Sequence, residues 1–279
     1  MSHFPKDKNE REEDFWDEEI PQEQFAKDTL ERYSGCDVGD FCEHLLLTNF
    51  PRYVEHFAKI KKVKVVEGLM FKVAHCPKEN ISILDFKIGS PAAALTVDLC
   101  SFLPIKSSLL LGMCGGLRRR YKVGEYLVPV ASIRGEKTSE FYFPPEVPAL
   151  ANFFMQKAVT DVLEENGVPY HIGITYTSNI RFWEFNEVFK EDLKASKAQG
   201  LELECATLFA ASYKRKFTLG ALLLISDLPL NRGGVKTKRS SEYVYENFMP
   251  DHIEKGIAIL KRSVEMLKRR VKGPYKKEK

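Results

Sequence analysis

The stretch SSLLLGMCGGL, residues 107–117, decides how the chain is read: an unbroken apolar run ends among Gly112, Gly115 and Gly116. A short apolar run bounded by glycine reads as a strand buried on both faces. Glycines at its end permit positive φ or close approach of the backbone to a ligand, or simply let a helix pack tightly on the sheet. Working outward, residues 63–66, 69–73, 81–86, 125–133, 171–177 and 217–225 are further strand candidates. Helical patterns lie between and beyond them at 92–102, 149–165, 186–198, 204–214 and 251–268. Pro91, after the pair Gly89-Ser90, suits a first helical turn. Strands alternating with helices predict an α/β fold with three layers, a mixed central β-sheet flanked by helices. In such sheets ligands bind at loops beyond the carboxyl ends of strands.

Composition agrees with a large packed core. The chain has 279 residues, 44% hydrophobic and 29% charged, which excludes globally disordered and fibrous classes. A net charge of +3 gives no broad reason to expect a nucleic-acid partner. Cys36, Cys42, Cys76, Cys100, Cys114 and Cys205 form no CxxC pair, so reduced thiols in a cytoplasmic protein are expected, with no zinc site. No apolar run nears the roughly 20 residues that span a bilayer, and MSHFPKDKNE does not read as a signal peptide, so no membrane association is expected. Charge is uneven along the chain. Residues 1–24 carry nine acids against three bases, and residues 261–279 carry nine bases against two acids. The acidic segment 1–24 is expected to be disordered, residues 25–270 to form one domain, and 271–279 to be a solvated basic tail.

Four strand-end loops carry the candidate chemistry. At Lys87-Ile88-Gly89-Ser90, backbone N–H groups can hold an anion or a sugar hydroxyl, though an ordinary turn reads the same way. The second loop is the glycine run itself, with Gly115 and Gly116. The third is Leu201-Glu202-Leu203-Glu204-Cys205, where alternation puts both acids on one side of a strand. Glu204 can cap the following helix, but two carboxylates between apolar runs are costly unless they bind something, and vicinal sugar hydroxyls are a fitting partner. In the fourth, Ser226-Asp227-Leu228-Pro229, an acid ends a long buried strand. Desolvation there favours its protonated form and suits a proton donor, while a turn-forming role before Pro229 stays open.

GMCGGL (112–117), LELECATLFAAS (201–212) and ISDLPL (225–230), in this order and spacing, resemble the purine nucleoside phosphorylase / nucleosidase superfamily. The segments YSGCDVGDFCEHLLLTNFPRYV (33–54), CGGLRRRYKVGEY (114–126), FPPEVP (143–148) and RFWE (181–184) look most like the catalytic domain of AMP nucleosidases. The resemblance implies a nucleoside phosphorylase-like fold and hydrolysis of AMP to adenine and ribose 5-phosphate, with no cofactor. It implies Asp227 as the acid that protonates the purine at N7, preceded by Ser226, and Glu204 as the residue that holds the ribose 2′- and 3′-hydroxyls. Phe182 and Trp183 fall where an aromatic stacks on the base. The loop containing Thr48, Asn49 and Arg52 stands where phosphorylases keep their phosphate loop. Leu110 and Met113 replace an arginine and a serine that seat phosphate in phosphorylases, so water becomes the expected nucleophile. Leu203 stands for the usual methionine, a near-isosteric change.

Glu202 and Glu184 are the candidates for activating that water. Arg52, Arg134, Arg181, Arg232 and Lys236 are the candidate partners of a 5′-phosphate. Residues 233–238, GGVKTK, suit a lid. The expected partner is a small nucleotide, and by resemblance the chain forms a homo-oligomer, a trimer or hexamer. A phosphate-dependent phosphorylase and a nucleosidase for another 5′-monophosphate stay open beside this reading.

Overall fold

The computed structural model describes residues 20–271. The expected disorder of the acidic segment therefore lies, up to residue 19, outside the described residues, as do residues 272–279 of the basic tail. Residues 22–24 of that segment instead open a helix, α1 (Gln22–Ser34).

The chain continues through β1 (His44–Thr48), α2 (Pro51–Lys61), β2 (Val65–Glu67), β3 (Lys72–Cys76), β4 (Ile81–Asp85) and α3 (Ser90–Cys100). Then come β5 (Ser107–Gly116), β6 (Tyr126–Gly135), β7 (Ala149–Leu150), α4 (Phe153–Glu165), β8 (Tyr170–Ser178), α5 (Glu187–Ala195) and β9 (Gly200–Glu202). The last elements are α6 (Cys205–Arg215), β10 (Leu219–Asp227), α7 (Lys238–Asn247) and α8 (Met249–Val271).

Strand β5, within residues 107–117, is central to the architecture. Along one edge β5 pairs in parallel with β10 over residues 108–115. Its other edge is shared: β1 pairs with residues 107–110, and β9 with Gly115 and Gly116. Because β10 also pairs β6, β6 pairs β8 and β8 pairs β9, five strands close into a ring. From that ring β1, β4, β3 and β2 extend as an open wing.

Alternation along the strands sorts the core into two slabs. Leu45, Leu47, Leu84, Leu110, Leu223 and Ile225 face α1, α3 and α6, packing on Leu30, Val97 and Phe209. Leu46, Ile83, Leu109, Leu111, Leu222 and Leu224 face α2, α4 and α8, packing on Phe57, Val159, Ile253 and Leu260. The expected three layers with a mixed sheet are present. The proline at the start of α3 is also in its first turn, as expected.

Two elements are placed differently from the sequence reading in ways that matter to the packing. The helical pattern from residue 149 does not start there: Ala149–Leu150 pairs with β6, and α4 begins after Asn152, whose Oδ1 accepts the Met155 N–H at 3.3 Å. A polar N-cap sets that start, not the apolar spacing. The strand expected at 69–73 runs instead over Lys72–Cys76, in antiparallel register with β4.

Candidate active site

Asp227 ends β10, and a β-bulge sets its direction. Ile225 pairs with Cys114 and Asp227 with Gly115, leaving Ser226 as the extra residue. Such a bulge re-aims the side chain that follows it. The Ser226 hydroxyl donates to Asp227 Oδ1 at 2.6 Å, and Lys236 Nζ lies 3.6 Å from the same oxygen. Burial pushes the Lys236 ammonium below its ordinary range, and the Asp227 carboxylate pulls it back up. The half-buried acid thus has a cation beside it, not only the apolar strand end that the sequence suggested. Gly115 fits closely here: a Cβ would meet Pro229 at 3.0 Å and lie 3.6 Å from Asp227 Oδ2.

Glu204 is the N-cap residue of α6 through its backbone, but its side chain caps nothing. Its Oε1 accepts the N–H of Gly89 at 2.8 Å, in a turn where Gly89 takes φ 101°. Ser90 Oγ ties the same turn to the Leu203 carbonyl at 2.7 Å. The Gly89-Ser90 turn, read as a seat for a ligand's anion or hydroxyl, therefore holds the protein's own carboxylate. Burial, and then the charge of Glu202, pushes the Glu204 carboxyl up to about 8.

Capping of α6 falls to Glu202 instead. Its Oε2 accepts the N–H groups of Glu204 and Cys205 at 2.7 and 2.6 Å, and its Oε1 accepts Thr177 Oγ1 at 2.5 Å. The Thr177 hydroxyl in turn accepts the Ala206 N–H at 2.8 Å. Burial pushes the Glu202 acid up, and these donors pull it back. The two acids do not share one side of a strand, as alternation predicted. β9 stops at Glu202, and the chain bends at Leu203 and Glu204 before α6 begins at Cys205.

These groups meet at one cavity of about 200 Å³ at the carboxyl ends of β1, β4, β5, β9 and β10. Of the residues singled out from the sequence, Asp227, Ser226, Gly115, Glu202, Leu203 and Glu204 line it. Asn49, Trp183, Glu184, Lys236 and Arg181 line it too. Arg181 Nη1 donates to the buried Glu184 carboxylate at 2.5 Å. Asn49 Oδ1 is buried without a hydrogen-bond partner. A larger cavity of about 530 Å³ between α4 and α6 is mostly apolar and carries no acidic side chain, so the chemistry points to the smaller one.

Other expected residues stand elsewhere. Thr48 is buried in the sheet, its hydroxyl on the Leu111 carbonyl at 3.0 Å. A Cβ on Gly116 would meet Ile225 and Leu228 at 2.9 Å, so that glycine serves packing. Phe182 is 78% exposed while its neighbour Trp183 is buried, leaving one aromatic of the pair at the cavity. Arg134 donates to Ser139 Oγ and to the carbonyls of Phe143, Pro144 and Val147, which occupies four of its five N–H groups. Arg232 is exposed and outside the cavity. Arg52 pairs with Glu242 behind one wall.

Sequence reasoning missed Phe50, Ser241 and Tyr245, which also line the cavity. The last two are one helical turn apart on α7, whose start is marked by a capping box of Thr237 and Ser240. That signal was present at 237–240. No group of three side chains suited to a metal ion occurs among the described residues.

A model of the phosphorylase superfamily matches residues 36–265. The chain belongs to this superfamily. The solved AMP nucleosidase of Bacteroides thetaiotaomicron shares 35% identity over 90% of this chain and 100% of its own, with a TM-score of 0.77. AMP nucleosidase of Escherichia coli K12 is 25% identical over 88% of the chain, which spans 59% of that relative's length. The guanosine phosphorylase of Halorubrum lacusprofundi is 25% identical over 83% of the chain and 96% of its own length. The superfamily's fold is thus the fold described above.

Proposed function

We propose that this superfamily member hydrolyses the N-glycosidic bond of AMP, releasing adenine and ribose 5-phosphate. The observation that carries the reading is that Asp227 and Glu204 line one cavity together with Met113, an apolar side chain where phosphorylases keep a phosphate ligand. Leu110, at the second such position, is buried in the core.

As the C1′–N9 bond breaks, its electron pair goes to the purine and positive charge develops on the ribose. Asp227 gives a proton to N7, and transfer of this kind contributes roughly 10²–10⁴-fold. The Ser226 hydroxyl holds the acid's Oδ1, and Lys236 stands ready to stabilise the carboxylate that remains. Glu204 accepts the ribose hydroxyls and, as an anion, favours the oxocarbenium-like sugar. Trp183 offers a π face to the base. Water attacks C1′ and loses its proton. Of the two candidate bases, Glu202 is engaged by helix N–H groups and Thr177, which leaves Glu184, salt-bridged to Arg181.

The phosphorylase relatives favour a second reading, in which inorganic phosphate replaces water. Asp227→Asn tests the assignment common to both. Adenine release should fall by about 10² or more, with AMP binding and the unfolding midpoint near those of the wild type. Near-full activity in that variant overturns the role given to Asp227.

A further inference from the structure

The ring of strands encloses a buried file of hydroxyls that ends on Glu202. Alternation along β8 turns Ile172 and Ile174 outward, 52% and 43% exposed, and Thr175 and Thr177 inward, both fully buried. Ser132 of β6 stands opposite Thr175 in the parallel register and is buried with them. Thr175 Oγ1 donates to Ser132 Oγ at 2.8 Å, and Ser132 and Thr177 share a hydrogen bond of 2.7 Å. Thr177 Oγ1 lies 2.5 Å from Glu202 Oε1, and Ser132 Oγ is 3.4 Å from the same oxygen.

The direction of every proton in this file follows from two fixed points. The Ala206 N–H can only donate, and it points at Thr177 Oγ1 from 2.8 Å. Glu202 Oε2 already accepts two helix N–H groups, and as a carboxylate the acid can only accept at Oε1. Thr177 therefore gives its one proton to Glu202, Ser132 gives its proton to Thr177, and Thr175 gives its proton to Ser132. Hydroxyls aligned in this way polarise one another toward the carboxylate. A proton on Oε1 would have to be donated to Thr177, which would turn the whole file round. The Thr175 O–H would then point away from Ser132, and it has no other partner among the described residues. Leaving a buried hydroxyl without an acceptor is costly.

We propose that Thr175, Ser132 and Thr177 form a one-way relay that keeps Glu202 a carboxylate, which leaves Glu204 as the acid of the pair that takes up and releases a proton. None of the three lines the cavity, so they are positioning residues. The inference rests on the ribose-holding role given to Glu204 and says what sets that residue's charge. The groups around the pair agree with it. Lys236 and Arg181, the cations that line the cavity, pair with Asp227 and Glu184 instead. The thiols of Cys205 on α6 and Cys114 on β5 face Glu202, and burial pushes both up, so neither is charged near neutral pH. On Glu204, Asn49 and the Gly89 N–H act from the loops after β1 and before α3. Burial and the charge of Glu202 push the Glu204 carboxyl up to about 8, while the relay's last hydroxyl pulls Glu202 back down.

The test is the pH dependence of kcat/KM for AMP in a graded series of variants. Thr177→Val removes the donor to Oε1, lets Glu202 take a proton and so lifts its charge from Glu204. The rise expected between pH 7 and 9 should then begin about one pH unit lower. Ser132→Ala and Thr175→Val should move it the same way by progressively less, and Thr177→Ser, which keeps the hydroxyl, should leave it in place. A uniform loss of rate with the shape of the profile kept overturns the relay in favour of simple packing, as does a Thr177→Ser profile that matches Thr177→Val. Infrared difference spectra between pH 6 and 9 identify the protonated acid without turnover. The protonated-carboxyl band lost over this range should be absent in Glu204→Gln and should persist, at lower pH, in Glu202→Gln. The reverse assignment overturns the relay. A flat wild-type rate profile removes the role of Glu204, and absence of base release from AMP removes the reading beneath it, while the infrared result still decides which acid holds the proton.

Discussion

Glu204 is the residue on which burial and its proposed role pull in opposite directions. To accept two sugar hydroxyls and favour a cationic ribose it should be ionised, yet its desolvated position and the neighbouring Glu202 push its carboxyl up to about 8. The kcat/KM for AMP, which reports the free enzyme, should therefore rise between pH 7 and 9, and a flat profile over that range contradicts the role. The linkage has a definite sign. Unfolded, the group ionises near the ordinary carboxylate value of about 4.3. Folded, it holds its proton to about 8, so between these values the native state binds more protons and stability falls as pH rises. At this scale much of the site was legible. Asp227 and Glu204 stood out as acids at the ends of apolar runs. The division of labour between Glu202 and Glu204 was not, because it depends on where β9 stops, and a three-residue strand leaves no periodicity to read.

At the scale of elements, Glu202 links the ring of strands to the helix that presents Glu204. A buried carboxylate on the first N–H groups of α6 satisfies donors that a helix start leaves open and interacts favourably with its dipole. Glu202→Gln turns one acceptor into a donor facing other donors, and should lower stability by about 1–3 kcal/mol. It also removes the charge that helps raise the Glu204 pKa, so the rise in kcat/KM should begin at lower pH. Urea unfolding and the pH profile read the two effects separately, and no change in either removes this role. The long strands β5 and β10 and the helices α4 and α8 were visible as long apolar or 3.6-periodic runs. β1, α1, α2 and α7 were not. His44–Thr48 is five residues, too short to separate strand from helix by periodicity. On α7 only Val244 is buried, so there was almost no apolar stripe to see.

At the scale of the whole molecule, the ring closed by β5 matters most. One strand shares its edge between β1 and β9, which brings the loop after β1, Gly115 of β5 and the acids at the ends of β9 and β10 to a single cavity. No run of sequence encodes that convergence, since every pairing in the ring except β8 with β9 joins residues remote in the chain. It explains why four loops that were each ambiguous alone became a site together. Under the proposed function, that cavity offers an acid to the purine and a carboxylate to the ribose, with Met113 beside them, and takes water, not phosphate, as the nucleophile. The most direct measurement is adenine release from AMP by the purified protein in phosphate-free buffer, with adenosine plus phosphate run alongside. The account predicts release from AMP without phosphate and little from adenosine. Turnover of adenosine only when phosphate is present would contradict it.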